Sequence, residues 1–120
     1  MIEPGAVGEV TLVVGDADTA IAYASGDVPV LATPRVLALA EQAAVTAMAD
    51  EFDADQTSVG IHAELHHLKA TKPGTAVTAQ ARVLAVDGKK ITFEFHVMEA
   101  DVIVAQGTHQ RVIVPRERFV

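Results

Sequence analysis

From Ser58 onward the chain reads almost continuously as strand, and no other feature limits its possible folds as much. Four extended segments, Ser58 to Ala70, Thr75 to Val86, Lys89 to Ala100 and Val102 to Val114, are separated only by Lys72-Pro73-Gly74, Asp87-Gly88 and Ala100-Asp101. Links this short join strands that lie side by side and run in opposite directions, so the spacing predicts an antiparallel meander. The third segment alternates most clearly, with Ile91, Phe93, Phe95 and Val97 against Thr92, Glu94 and His96, the pattern of a strand buried on one face.

Two elements precede the meander. Val7 to Val14 reads as a short strand ending at Gly15-Asp16, and Thr19 to Val30, with Ser25-Gly26-Asp27 and Pro29, reads as a loop with an irregular turn. Thr33-Pro34 reads as a helix start, because Thr can cap free amides and Pro at the first helical position has no amide to leave unpaired. The helix is expected to reach about Asp50 or Phe52. Leu37, Ala40, Ala44, Ala47 and Met48 then share a stripe, with Arg35, Gln42 and Thr46 opposite. Strand, long helix, four antiparallel strands: this order implies an α+β fold with the helix packed across one face of a curled sheet. There is no repeat and no linker, so residues 1–120 are expected to form one domain ending in a plain tail from Arg116 to Val120.

Composition narrows the function. Half of the residues are hydrophobic but only 4% are aromatic, and a core built mainly from Ala and Val buries little area per residue, so oligomerisation would add burial. A net charge of -7 and a pI near 5.0 repel phosphate backbones and anionic lipid, which argues against nucleic-acid and membrane partners. With no cysteine there is no disulfide, no thiolate nucleophile and no Cys-based metal site. The chain has neither a leader-like start nor an apolar run long enough to span a membrane, and the expected location is the cytoplasm.

Several residues break their local pattern. Glu41 falls between Leu37, Ala44 and Met48 on the stripe expected to face the core, where a carboxylate needs a partner or a chemical purpose. The alternative is a Glu at the edge of that face reaching water. Thr33, two turns earlier, points to the same side by helical phase, although a simple N-cap accounts for it too. His67 shares the inward phase of Ile61, Ala63 and Leu65 and is either a hydrogen-bonded core residue or a catalytic one. His62, Glu64 and His66 share the other face. Without an identifiable fourth ligand they read as a solvated surface, and no metal is expected. In the last strand, Gly107-Thr108-His109-Gln110-Arg111 sets a glycine beside polar groups, with Arg111 available to an anion or to a structural ion pair.

These residues carry a resemblance. Leu31-Ala32-Thr33 followed eight residues later by Glu41, Gly60 followed seven later by His67, then Ala70-Thr71-Lys72-Pro73-Gly74 and Gly107-Thr108-His109-Gln110-Arg111 together resemble the fluoroacetyl-CoA-specific thioesterases and their relatives. The resemblance implies a hot-dog fold, a long helix wrapped by an antiparallel sheet, in homodimers or tetramers whose sheets join and whose active sites lie near the interface. It implies Thr33, Glu41 and His67 as the catalytic set, with Gly60 and Arg111 shaping or supporting the site. Hydrolysis of an acyl-CoA to free acid and CoA would then use Glu41 as nucleophile or as base on water. His67 would give acid-base help, Thr33 a hydroxyl, and amides near Gly60 or the helix N-terminus would receive the oxyanion; no cofactor is expected. The fluoroacetyl-specific enzyme carries phenylalanines ahead of the threonine, whereas Ala24 to Ala32 holds no aromatic residue. A small-to-medium acyl group is therefore expected. Competing expectations are a hot-dog acyl-thioester hydratase or dehydratase, and a non-catalytic acyl-CoA or acyl-carrier binding protein.

Overall fold

In the computed structural model, which describes residues 1–120, the elements follow in the order β1 (Val7–Val13), α1 (Thr33–Ala47), β2 (Gln56–His67), β3 (Ala76–Asp87), β4 (Lys90–Glu99) and β5 (Val102–Pro115). The strands form a single antiparallel sheet in the order β1-β3-β4-β5-β2, with α1 packed on one face. This is the expected α+β arrangement. No helix is long and apolar enough to cross a membrane.

The meander holds for β3, β4 and β5 but not for β2. Instead of pairing with β3, β2 pairs with β5 along the opposite edge, from Gln56 opposite Pro115 to His67 opposite Ala105. The reason lies in the link around Lys72-Pro73-Gly74, which makes no hairpin. Leu68 and Lys69 donate their amides to the Val104 carbonyl, Thr71 accepts from Leu31, and Gly74 and Thr75 pair with Val14. This segment therefore crosses from one edge of the sheet to the other and delivers β3 beside β1.

The core lies between α1 and the inner face of the central strands. Val77, Ala79, Ala81 and Val83 of β3 and Ile91, Phe93, Phe95 and Val97 of β4 are all buried against the helix, so the β4 alternation read from sequence is the real one. On α1 the buried set is Val36, Leu39, Ala40, Ala43, Ala44 and Ala47, continued by Met48. Burying side chains such as Val36, Leu39 and Met48 contributes roughly 1.5–3 kcal/mol each. The helix ends at Ala47, short of the expected Asp50 to Phe52, and the chain turns through Asp50 in the left-handed region, φ 65°. Nor is the C-terminus a plain tail: Arg116 reaches back to the carbonyls of Ala54 and Gln56.

Small side chains on α1 let its backbone come very close to β1. A Cβ at Gly8 would collide with the carbonyl of Ala43 and the amide of Ala47, backbone atoms that have no rotamer to escape into. Gly8→Ala is expected to cost about 1–3 kcal/mol through forced separation of helix and strand, seen as a lower urea midpoint at unchanged m-value. An unchanged midpoint would contradict so close an approach.

Candidate active site

The start of α1 is pinned from three sides. Ala32 donates its amide to the Asp18 carbonyl, Leu31 to the Thr71 carbonyl, and Arg35 Nε meets Asp18 Oδ1 at 2.9 Å. Ala32, not Thr33, occupies the N-cap position, and no side chain caps the helix. The Thr33 hydroxyl is thereby free of the capping duty that its position next to Pro34 suggests. It lies 2.7 Å from Nδ1 of His67, the last residue of β2.

His67 faces inward, as the strand phase predicts, since its neighbours Ala63 and Leu65 lie opposite His109 and Gly107 of β5. Burial pushes the imidazole below its usual pKa, and the Lys69 backbone opposes this only in part. The ring is therefore neutral at pH 7 and can accept the threonine proton through Nδ1, the geometry of a hydroxyl beside a base. Its Nε2 is buried without a partner. Thr33 and His67 line an open cleft of about 300 Å³ with Ala20, Ser25, Val30, Leu31 and Leu68 among its walls.

Two turns further along α1, Glu41 sits in a different cleft. Its side chain is 40% exposed, because the buried stripe centres on Val36, Ala40, Ala43 and Ala47 and leaves Glu41 at the border. The edge alternative is thus the observed one, and the core-facing expectation is corrected. Its partner is Arg111, whose Nη1 lies 3.6 Å from Glu41 Oε2. Arg111 is buried on β5 and is not an open anion clamp: Nε meets Ser58 Oγ at 2.9 Å and Nη2 the Ser58 carbonyl at 3.1 Å. Burial lowers the guanidinium pKa while Glu41 raises it, and the group remains a cation. Gly60 completes this second cluster, since a Cβ there would stand 3.1 Å from Glu41 Oε2 and 3.4 Å from Arg111 Nη1.

Within one chain, therefore, Thr33 meets His67, and Gly60 and Arg111 meet Glu41, but no hydrogen bond or ion pair joins the two groups. Eight residues of helix separate Thr33 from Glu41, about 12 Å of rise. His62, Glu64 and His66 lie exposed on the outer face, where only Glu64 and His66 approach each other, at 3.5 Å. No cluster of three or more His, Cys, Asp or Glu side chains forms that could hold a metal. His109, which the sequence offers only as one polar group of the Gly107 to Arg111 run, is buried beside Arg111. Applying period two to β5 puts 109 and 111 on one face, a signal that was available.

Comparison with known proteins gives consistent results. The family model for fluoroacetyl-CoA-specific thioesterases matches residues 14–117. The fluoroacetyl-CoA thioesterase of Streptantibioticus cattleyicolor is 31% identical over 90 residues, which are 75% of this chain and 65% of that enzyme, a little under two thirds of its length. A mutant of the fluoroacetyl-CoA-specific thioesterase crystallised with fluoroacetate and CoA superposes with a TM-score of 0.90 at 27% identity, covering 98% of this chain and 99% of the other. A hot-dog-like protein from Thermanaerovibrio acidaminovorans gives 0.87 at 24% identity, over 99% and 94% of the two chains. The fold is the hot-dog fold.

His67 and His109 are both held below the usual histidine value of 6.5, in each case mainly by burial. The unfolded chain then binds more protons than the folded one as pH falls past 6.5, so their contribution is complete above 6.5 and is lost as pH drops through the folded values. Asp18, held below 3.8 chiefly by the Gly15 amide, loses its contribution only in a lower and separate window. The urea midpoint of wild type is expected to fall between pH 7.5 and 5.5, and His67→Gln to flatten that fall. An equal fall in His67→Gln would show that His67 titrates as it does in the unfolded chain.

Proposed function

Because this chain belongs to the fluoroacetyl-CoA-specific thioesterase family, we propose that it hydrolyses a small-to-medium acyl-CoA to the free acid and CoA. The observation that carries this reading is the 2.7 Å contact between Thr33 Oγ1 and His67 Nδ1 at the mouth of a cleft where a helix begins. Thioester hydrolysis needs an oxygen to attack the carbonyl carbon, donors to receive the oxyanion, and a proton for the thiolate as the C–S bond breaks. In the proposed division of labour Glu41 is the nucleophile or the base that activates water. His67 manages the proton, and Thr33 supplies a hydroxyl at the reacting centre. Gly60 and Arg111 shape and hold the carboxylate, and the amides at the start of α1 or near Gly60 receive the oxyanion.

The separation of Glu41 from Thr33 and His67 supports a homodimer as the working unit. β2 is an edge strand of twelve residues, none of them fully buried, and Ile61 and Leu68 are more than half exposed. Such an edge calls for a cover. Antiparallel pairing of two β2 strands centred on Glu64 would, through the bulge between Gly60 and His62, set Gly60 of one chain opposite the partner's His67 on the same inner face. Each Glu41 would then approach the Thr33 and His67 pair of the other chain, giving two sites from two chains. We place this activity in the cytoplasm.

The acyl side of the cleft supports a broad acceptor. Ala20, Ser25, Val30 and Leu31 line it, with no aromatic gate between Ala24 and Ala32. Thiol release from a panel of acyl-CoAs should show turnover of short and medium chains without preference for fluoroacetyl-CoA. Glu41→Ala, His67→Ala and Thr33→Ala, all folded, should each lose on the order of 10²–10⁴ in kcat. Well-folded wild type that binds acyl-CoA without releasing thiol would overturn the hydrolase. Addition of water across an enoyl thioester that survives Thr33→Ala would point to a hydratase.

A further inference from the structure

Next to Glu41 runs a buried chain of polar contacts, of which the hydrolysis described above uses Arg111 but not His109 behind it. His109, 2% exposed, lies on the inner face of β5 with its ring stacked on Phe93, centroids 6.1 Å apart. Its Nδ1 is 2.8 Å from the His62 carbonyl. A carbonyl only accepts, so Nδ1 must carry the proton, and a neutral ring then presents a bare lone pair at Nε2. That lone pair meets Arg111 Nη1 at 3.1 Å, and Arg111 can only donate. One protonation state of His109 therefore satisfies both contacts. A doubly protonated ring would turn Nε2 into a donor facing a donor.

The groups around the ring favour that state. Burial is the main influence lowering its pKa; Arg111 and His62 also lower it, while the His62 carbonyl and Glu41 act in the opposite direction. Arg111 has few other choices of orientation, because Nε and Nη2 are both committed to Ser58. Nη1 is the nitrogen left between His109 and Glu41. All of these meet above the bare backbone of Gly60, where a Cβ would stand 3.1 Å from both Glu41 Oε2 and His109 Cε1. In a low-dielectric interior, a network in which each donor has one acceptor fixes geometry strongly.

We infer that His109 is a positioning residue for the hydrolysis: its Nε2 lone pair fixes Arg111 Nη1 against Glu41 and so aims the carboxylate at the thioester. This rests on the proposed role of Glu41. The pairing of Arg111 with Glu41 at 3.6 Å is long for a hydrogen bond, so the direction of the guanidinium, not a tight contact, sets where the carboxylate points. Removing the acceptor leaves the planar guanidinium held by Ser58 alone, so it can tilt about those bonds and Nη1 no longer has one position against the Glu41 carboxylate, while Thr33 and His67 are untouched.

The test is a cycle of variants, His109→Leu, His109→Gln, Glu41→Ala and the Leu and Ala double variant, assayed on the acyl-CoA that wild type turns over best. Misaiming a reacting group costs on the order of 10- to 100-fold. His109→Leu should lose that much in kcat with KM nearly unchanged. His109→Gln, whose amide offers an acceptor and a donor, should recover most of it. In the Glu41→Ala background His109→Leu should cost nothing more. Equal losses in both backgrounds, or Gln no better than Leu, would overturn the inference while leaving the hydrolase intact. Full activity of Glu41→Ala would instead overturn the reading on which it rests. Independently of activity, ring-nitrogen NMR should find His109 protonated on Nδ1 alone at pH 7, and Arg111→Gln should raise its pKa. A ring protonated on Nε2 alone would overturn the inference by itself.

Discussion

The tight seating of α1 on the sheet is the constraint from which the rest of the molecule follows. Ala40, Ala43, Ala44 and Ala47 present almost no side chain, and Gly8 presents none where the helix backbone passes over β1. The helix therefore has one depth and one rotation available to it. That rotation sends Leu39 and Val36 into the core, brings the first residue, Thr33, within reach of the end of β2, and leaves Glu41 at the border of the buried stripe. The weakness of a small-residue core, which buries little area per residue, is here the source of positional accuracy.

A second consequence is that the sheet covers its helix unevenly. β3 and β4 bury every inward residue from Val77 to Val83 and from Ile91 to Val97, whereas β2 buries none fully. The inner face of β2 nevertheless carries Ala63, Leu65 and His67, and its bulge between Gly60 and His62 exposes Ile61. The polar inventory of the site is concentrated at this under-covered edge, with Arg111 and His109 behind it on β5. In the proposed dimer the uncovered edge and the divided site have the same remedy.

Much of this was readable in the sequence where local periodicity is decided by local packing. Thr33-Pro34 marked the helix start within a residue, β4 alternated as read, and His67 faced inward as its phase required. What failed needed distant contacts. Nothing near Lys72-Pro73-Gly74 reveals that its backbone will bond to Leu31, Val14 and Val104 and cross the sheet, so β2 was expected beside β3. The early end of α1 depends on the chain turning at Asp50, and of the expected stripe Ala40, Ala44, Ala47 and Met48 are buried while Leu37 is not, its place being taken by Val36. Of the two readings of Arg111, the structural ion pair is the one found, with Glu41, whereas Ser58, its main hydrogen-bond partner, lies 53 positions away and is not legible locally. His109 carries no role of its own in the Gly107 to Arg111 run, although strand phase puts it on the same face as Arg111.

The central claim is that Glu41 of one chain works with Thr33 and His67 of another. The most direct measurement mixes two inactive variants, Glu41→Ala and His67→Ala, after unfolding and refolding them together. If sites are shared across the interface, each mixed dimer holds one intact site, and an equal mixture should recover about a quarter of wild-type thiol release. If each chain supplies its own complete site, every site in the mixture is broken, and the absence of recovery in verified mixed dimers would contradict the account.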